Sequence, residues 1–216
     1  MRSIMYVAIL ITFFSCQETT STHSQEPFSE EKPATVVSSA NVSPEAKREL
    51  KSVEDIKKEY SFITSKMEGG RLDTTSFKYN CQGEKSGKVV YYSENGQLRM
   101  IRHTYNEYSH FSATDEYFLK EDAPFFVFYK HLVWSFVDQN QTKDEVTEKR
   151  FYIVDSRPIR CLQNKYTLLS SEKEALQPTK GSNQKIACSS LQPIDEKVSL
   201  FLKLRNQKED LACLEN

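Results

Sequence analysis

Asp115–Phe136, with the sequence DEYFLKEDAPFFVFYKHLVWSF, is dense in aromatic side chains and predicts a β-hairpin. Tyr117–Leu119 is expected to form the first strand, Lys120–Pro124 the turn and Phe125–Trp134 the returning strand. The returning strand is apolar on both faces, with Phe125, Val127, Tyr129 and Val133 on one and Phe126, Phe128, Leu132 and Trp134 on the other. A strand of this kind is usually central in its sheet and covered on both sides.

Two amphipathic segments are candidates to cover such a sheet. Ser43-Pro44-Glu45 has the hydroxyl cap, proline and acid typical of a helix start, and Gly69-Gly70 ends the apolar periodicity that follows. A second, shorter helix is predicted over Pro193–Asn206. Alternating patterns between them predict further strands, and the polar Gln139–Glu148 stretch predicts a long loop. The expected fold is α+β: an antiparallel meander of about six to eight strands with an N-terminal amphipathic helix and a short C-terminal helix.

Length and composition exclude several classes of protein. The chain has 216 residues, enough for one ordinary domain, and a net charge of −1. This charge gives no support for nucleic-acid binding, which usually needs a clustered basic face. Six glycines and the lack of a P-loop or dinucleotide-binding motif argue against a phosphate-binding loop. We therefore expect no nucleic-acid partner and no cofactor.

The first sixteen residues indicate export. A short basic segment precedes Ile4–Phe14, an apolar run too short to cross a bilayer, and Ser15-Cys16 follows. This pattern resembles a bacterial lipoprotein signal, although Phe13 stands where leucine is usual. The resemblance implies that Cys16 is diacylated and becomes the N-terminus of a membrane-tethered protein. The alternative is an ordinary secretory signal with an incidental cysteine.

This interpretation divides the chain into three parts. Residues 1–15 are the signal peptide. Residues 16–42 are the acylated cysteine and a stalk rich in Ser, Thr, Glu and Pro, which cannot bury enough apolar surface to order itself. Residues 43–216 form the single folded domain. The expected location is the bacterial cell envelope, at the outer membrane, on its periplasmic face or the cell surface.

Three hairpins repeat one pattern, in which an aromatic residue precedes another apolar residue by seven positions across a polar turn. The pairs are Tyr91 with Leu98, Phe118 with Phe125, and Tyr152 with Ile159. The first copy, Tyr91–Leu98, resembles the Tyr-Tyr-x-x-Asn-Gly-x-Leu unit of MORN-variant repeat proteins and of many bacterial envelope lipoproteins. The other two copies lack the glycine, which favours one closed meander over a regular repeat array.

With Cys16 acylated, the chain retains four cysteines: Cys81, Cys161, Cys188 and Cys213. An even number in an exported chain predicts two disulfide bonds, for which three pairings exist. We favour Cys81–Cys161, because both lie in predicted strands, and Cys188–Cys213, because they flank the last helix. No Cys-x-x-Cys motif or histidine at ligand spacing supports a metal site.

The search for chemistry yields no catalytic set. His103, His110 and His131 have no nucleophile elbow or papain-like cysteine near them in sequence, so strand-face or loop positions are the simpler interpretation. Trp134 with Phe136 could stack on a sugar, although core packing explains such a pair more simply. We therefore expect a non-enzymatic protein.

A second resemblance concerns Tyr79-Asn80-Cys81 and Ser112–Tyr117. Together they are similar to the Tyr-x-Cys and Ser-x-Ser-Gly-x-x-Tyr motifs of membrane-bound c-type lysozyme inhibitors, with Thr114 and Asp115 replacing the second Ser and the Gly. Those small lipoproteins insert a loop into the enzyme's cleft, so the resemblance implies a binding surface at Ser112, Thr114, Asp115 and Tyr117. Trp134, as a possible sugar-stacking ring, is a further candidate for a binding surface.

The sequence as a whole predicts a cell-envelope lipoprotein that acts as a non-catalytic binding or structural module. Its expected partners are the membrane, through the N-terminal anchor, and an unidentified protein or glycan. The alternative function is inhibition of a lysozyme-like hydrolase.

Overall fold

The computed structural model describes residues 49–170, 181–205 and 212–214. It contains one sheet of eight antiparallel strands in the order of the chain, with one helix before the sheet and one after it, which confirms the α+β meander. The elements are α1 (Val53–Glu68), β1 (Asp73–Cys81), β2 (Lys85–Glu94), β3 (Gln97–Glu107), β4 (Phe111–Lys120), β5 (Ala123–Phe136), β6 (Thr142–Val154), β7 (Arg157–Leu169), β8 (Gln184–Lys185) and α2 (Gln192–Leu204).

The two helices cover opposite faces of the sheet. Ile56 and Ile63 of α1 pack on one face with the side chains of Met100, Phe118, Phe126 and Tyr152. Ile194, Val198 and Phe201 of α2 pack on the other with Tyr91, Ile101, Tyr117, Val127 and Phe151. Successive residues of a strand point to opposite faces, so these lists are the two sides of the same strands. We call them the α1 face and the α2 face.

Strand β5 is central, as its sequence predicts, but it is covered only along its first half. Phe125, Phe126 and Val127 are buried between the two helices. Val133 is 44% exposed and Phe136 is 67% exposed. The expectation of a strand covered from end to end is therefore wrong for Leu132–Phe136, because the described helices do not reach that end of the sheet.

The three hairpins β2–β3, β4–β5 and β6–β7 share one geometry. Each has a two-residue turn with positive φ at both positions, as a type I′ turn requires: Asn95-Gly96, Glu121-Asp122 and Asp155-Ser156. Each also has a bulge in the same place, where the register skips one residue of the returning strand. Aligning the turns makes Tyr92 the equivalent of Phe118 and Tyr152, so the repeat proposed from Tyr91 is shifted by one residue in its first copy.

Because of the bulge, Phe125 lies on a different face of β5 from the one that the sequence predicts. Phe118 pairs with Phe126 and Leu119 with Pro124, so Phe125 is the skipped residue. It therefore packs with Phe126 on the α1 face instead of with Val127 on the α2 face. Arg99 is the skipped residue of the first hairpin, and its guanidinium pairs with Glu59 of α1.

Helix α1 begins later than its sequence pattern predicts. Ser43-Pro44-Glu45 lies outside the described residues, and Leu50 lies before the helix. The first turn is capped by Ser52, whose hydroxyl oxygen accepts from the Asp55 backbone N–H at 3.2 Å and donates to the Asp55 carboxylate at 2.7 Å. This local cap fixes the start, and the helix ends at Gly69 as expected.

The four cysteines form two disulfides, as predicted, but the favoured pairing is wrong. The bonds are Cys81–Cys213 and Cys161–Cys188. Cys81 is in β1 and Cys161 in β7, six strand spacings or about 28 Å apart, which no disulfide can span. The bonds instead tie the segments before and after α2 to β7 and β1, so the helix is held at both ends across its face.

The remaining differences concern loops. The predicted loop Gln139–Glu148 is mostly strand, because β6 begins at Thr142 and only residues 137–141 connect it to β5. Its polar residues suit a strand: Glu148 is buried at 5% exposure and ion-paired with Arg150 at 2.8 Å. All the described residues belong to one compact unit, Lys47–Asn216.

Candidate functional site: the aromatic end of the sheet

The uncovered end of the sheet carries a group of exposed aromatic and apolar side chains. It consists of the β3–β4 turn and the end of β5 with the loop that follows. Tyr108 is 71% exposed, Phe136 is 67% exposed and Val137 is 50% exposed. With His110 and Trp134 they form what we call the aromatic end.

Backbone hydrogen bonds hold the two parts of the aromatic end together. The Trp134 N–H donates to the carbonyl oxygen of His110 at 3.0 Å, which joins the β3–β4 turn to the end of β5. In the next loop the Val137 N–H donates to Gln141 O at 2.8 Å, and the Asn140 N–H donates to the Asp138 carboxylate at 2.8 Å. The exposed rings are therefore carried by turns whose backbone is already fixed.

Ring contacts fix the centre of the aromatic end. The His110 and Trp134 rings have centroids 4.2 Å apart, and Phe136 meets Trp134 edge-on at 5.3 Å. The Trp134 indole N–H donates to the Ser109 carbonyl oxygen. Trp134 thus has the tilted His110 ring against it, the Phe136 ring in an edge-on contact, and its one N–H donor already used.

Two charged pairs lie on the α2 face at this end of the sheet, whereas Trp134 and Phe136 lie on the α1 face. Lys143 and Glu145 are 2.9 Å apart beside the β5–β6 loop, and Lys85 and Glu107 are 2.7 Å apart beside the β3–β4 turn. Aromatic residues are enriched in protein–protein interfaces and charged residues are depleted at their centres.

The residues expected to form a binding surface lie on two different faces. Ser112, Thr114 and Trp134 share the α1 face, since β4 pairs with β5 through Ser112–Leu132 and Thr114–Lys130. Asp115 and Tyr117 are buried on the α2 face, at 7% and 1% exposure. The segment Ser112–Tyr117 lies within β4, between β3 and β5, so it is not the exposed loop that the lysozyme-inhibitor resemblance implies.

The histidines do not form a catalytic arrangement with the described residues. His103 is buried beneath α2, its Nε2 is 2.7 Å from the Tyr79 hydroxyl oxygen, and its ring stacks on Tyr105 at 4.3 Å. Burial, with Lys197 and Lys85 nearby, lowers the pKa of His103 to about 3. It is therefore uncharged at neutral pH.

The other two histidines also have structural surroundings. His131 Nε2 lies 2.9 Å from Asp115 Oδ1, and His110 belongs to the aromatic end. Among the described residues no group of three His, Cys, Asp or Glu side chains could hold a metal ion. Cys16 and the stalk lie outside the described residues.

The sequence analysis missed Tyr108, His110 and Val137. A signal for Tyr108 does exist: it is a large aromatic residue inside the otherwise polar run Asn106–His110, where a turn rarely needs a ring. The sequence pattern places Phe136 with Trp134 and predicts core packing for both. Phe136 is instead among the most exposed apolar residues described.

None of the helices in the described ranges is both long enough and apolar enough to span a bilayer. No protein-family model matches the chain, and neither a curated protein nor a solved structure is significantly similar to it.

Proposed function

We propose that the protein is a non-catalytic binding module of the bacterial cell envelope, anchored by acylated Cys16, and that its aromatic end binds another protein. One observation carries this proposal. Tyr108 in the β3–β4 turn and Phe136 at the end of β5 carry large rings, 71% and 67% exposed, at places where hydrogen bonds hold the backbone. Exposed apolar patches commonly mark interaction sites.

A partner that covers these exposed rings would gain binding free energy. Burying apolar surface stabilises a complex by about 25 cal/mol per Å², and aromatic residues are enriched among those that dominate interfaces. Because the turns are already ordered, a partner does not have to order them on binding, which lowers the cost of association.

Two features favour a protein partner over a glycan. Sugars stack on an open aromatic face and use nearby hydrogen-bond donors, but the tilted His110 ring lies against Trp134, whose indole N–H donates to the Ser109 carbonyl oxygen. The side chains left most exposed are those of Tyr108, Phe136 and Val137, and their largely apolar surface suits a protein partner.

The two disulfides support the envelope location. Structural disulfides form and persist in exported proteins and are rare in a reducing cytosol, and both bonds here connect residues of the folded domain. The lipoprotein-like signal and the stalk add a tether, which would keep the aromatic end near the membrane.

The proposal is tested by site-specific photo-crosslinking in intact cells. A photoreactive phenylalanine at Phe136 is compared with the same residue at Ala123, an exposed position at the other end of β5. We expect a discrete protein adduct from position 136 only, weakened at least fivefold by Tyr108→Ser, and fatty-acylated Cys16 by mass spectrometry of the purified chain.

Other outcomes would contradict the proposal. Equal adducts from positions 136 and 123 would show that the aromatic end is not selective. Loss of sedimentation with purified peptidoglycan in Phe136→Ser, without any protein adduct, would indicate a glycan. Phe136→Ser should change the unfolding free energy by no more than about 0.5 kcal/mol, because the side chain is exposed.

A further inference from the structure

A second site lies on the α1 face, away from the aromatic end. Between α1 and strands β5 and β6 is a cleft of about 330 Å³. This volume is close to the lower limit for pockets that bind small molecules. Its walls are the first half of α1 on one side and the covered half of the sheet on the other.

Four of the eight residues that line the cleft are aromatic: Tyr60, Phe126, Phe128 and Tyr152. Tyr60 of α1 meets Phe126 edge-on at 5.2 Å, and Phe126 contacts Tyr152 at 5.0 Å. Phe126 and Tyr152 are buried, whereas Tyr60 is 36% exposed at the mouth. The rings pack against one another in tilted or edge-on geometry, so the cleft is formed before any ligand arrives.

Two cations face this apolar surface. The Arg150 guanidinium lies 4.7 Å from the centre of the Phe128 ring, and Lys57 lines the opposite wall on α1. Hydrogen bonds to Glu148 at 2.8 Å and Asn183 at 2.7 Å hold the guanidinium in place. These bonds use two of the five N–H donors that an arginine has.

The charges that line the cleft are of one sign. Its described lining contains Lys57 and Arg150 and no carboxylate. Glu54, the partner of Lys57 at 3.8 Å, and Glu148 are not part of that lining. A partly buried arginine and an exposed lysine beside apolar walls favour a ligand that has an acidic group on a flat apolar body.

We propose that the cleft between α1 and β5–β6 binds a small amphipathic anion, made of an aromatic or other flat apolar ring system with one carboxylate, sulfonate or phosphate group. The ring system packs between Tyr60 and Phe128, and the acidic group lies between Lys57 and Arg150. This site is independent of the aromatic end.

The test uses 8-anilinonaphthalene-1-sulfonate as the anionic probe and N-phenyl-1-naphthylamine as its uncharged analogue. Fluorescence titration of the full chain should give saturable binding of the sulfonate at one site. Affinity for the uncharged analogue should be at least tenfold lower.

Three variants locate the binding. Lys57→Glu should weaken sulfonate binding about fivefold, because it reverses a charge close to the anion. Lys58→Glu is the matched control, since this exposed neighbour on the same helix does not line the cleft, and its effect should stay within twofold. Ser61→Trp, at an exposed position on the rim, should fill the cleft and abolish binding.

Circular dichroism and thermal unfolding check that each variant keeps the fold. Equal effects of the two lysine reversals would overturn the proposal, and so would full binding in a folded Ser61→Trp variant. Equal affinity for the charged and uncharged probes would remove the claim that the ligand is an anion.

Discussion

The two faces of the sheet are covered by helices in different ways. On the α2 face, two disulfides tie the segments at both ends of the helix to β1 and β7, and the Tyr91 hydroxyl donates to the Phe201 carbonyl oxygen at 2.7 Å. On the α1 face the helix is held by apolar packing and by the ion pairs Glu59–Arg99 and Lys66–Glu94. Among the described residues only the α2 face has a covalent attachment.

Because of this difference, we expect the α2 face to contribute mainly to stability and the α1 face to be able to bind a ligand. The α2 face is closed over tyrosines and a neutral histidine, and little of it is accessible. The α1 face keeps a cleft between its helix and the sheet. A helix held by reversible contacts can shift by small amounts to admit a ligand, whereas one fixed at both ends cannot.

The largest expected effect is the loss of a disulfide on the α2 face. Cys213→Ser should lower the free energy of unfolding by about 5 kcal/mol and Cys188→Ser by about 3.5 kcal/mol, because the chain-entropy cost grows with the loop that is closed. The sequence separations are 132 and 27 residues. Urea denaturation measures both, and an equal loss in the two variants would contradict the entropic account.

The next effect comes from pH and also acts on the α2 face. The folded pKa of His103, about 3, lies below the value of about 6.5 expected when unfolded. As the pH falls, this histidine is therefore protonated in the unfolded chain before it is protonated in the folded protein. The free energy of unfolding then decreases between pH about 6.5 and 3, by up to about 4 kcal/mol.

The contribution of His103 can be isolated by replacement. His103→Gln should flatten this part of the stability profile, measured by urea denaturation at several pH values. His131→Gln is the control, because His131 is one-third exposed and lies against Asp115. This variant should keep the slope that His103 causes. A profile in which His103→Gln keeps the full slope would show that other groups cause it.

The smallest of the three effects is on the α1 face. Glu59→Gln should cost about 3 kcal/mol, since it leaves the buried Arg99 guanidinium without its charged partner. Replacing both, as Glu59→Leu with Arg99→Met, should cost less than about 1 kcal/mol, because no buried charge remains unpaired. A double-mutant cycle gives the coupling, and additive losses would show that the pair does not hold α1.

The fold could be predicted well because its signals are local. Alternating strands, the Asn95-Gly96 turn and two apolar helical stripes specify the meander without any long-range information. The exposure of the end of β5 could not be predicted, since the sequence of Trp134–Phe136 has the same apolar pattern whether or not a helix covers it. Only the positions of α1 and α2 decide that.

The disulfide pairing and the cleft depended on geometry that is not local. In the open sheet, six strand spacings separate Cys81 from Cys161, whereas the closed meander expected from the sequence would not exclude that pair. Nothing in the sequence places Tyr60 beside Arg150, because they are brought together by the path of α1 across the sheet. The residues of the surface predicted from Ser112–Tyr117 lie on both faces of β4, because successive residues of a strand point to opposite sides of its sheet.

The Cys81–Cys213 bond has a mechanical consequence for a chain held by its N-terminal side. Tension applied between that side and the residues after Cys213 passes directly through the bond, so the polypeptide between the two cysteines carries none of it. Within the described chain, only α1 and β1 lie on the N-terminal side of this crosslink. Pulling would therefore detach α1, and open the cleft beneath it, while strands β2 to β7 kept their length.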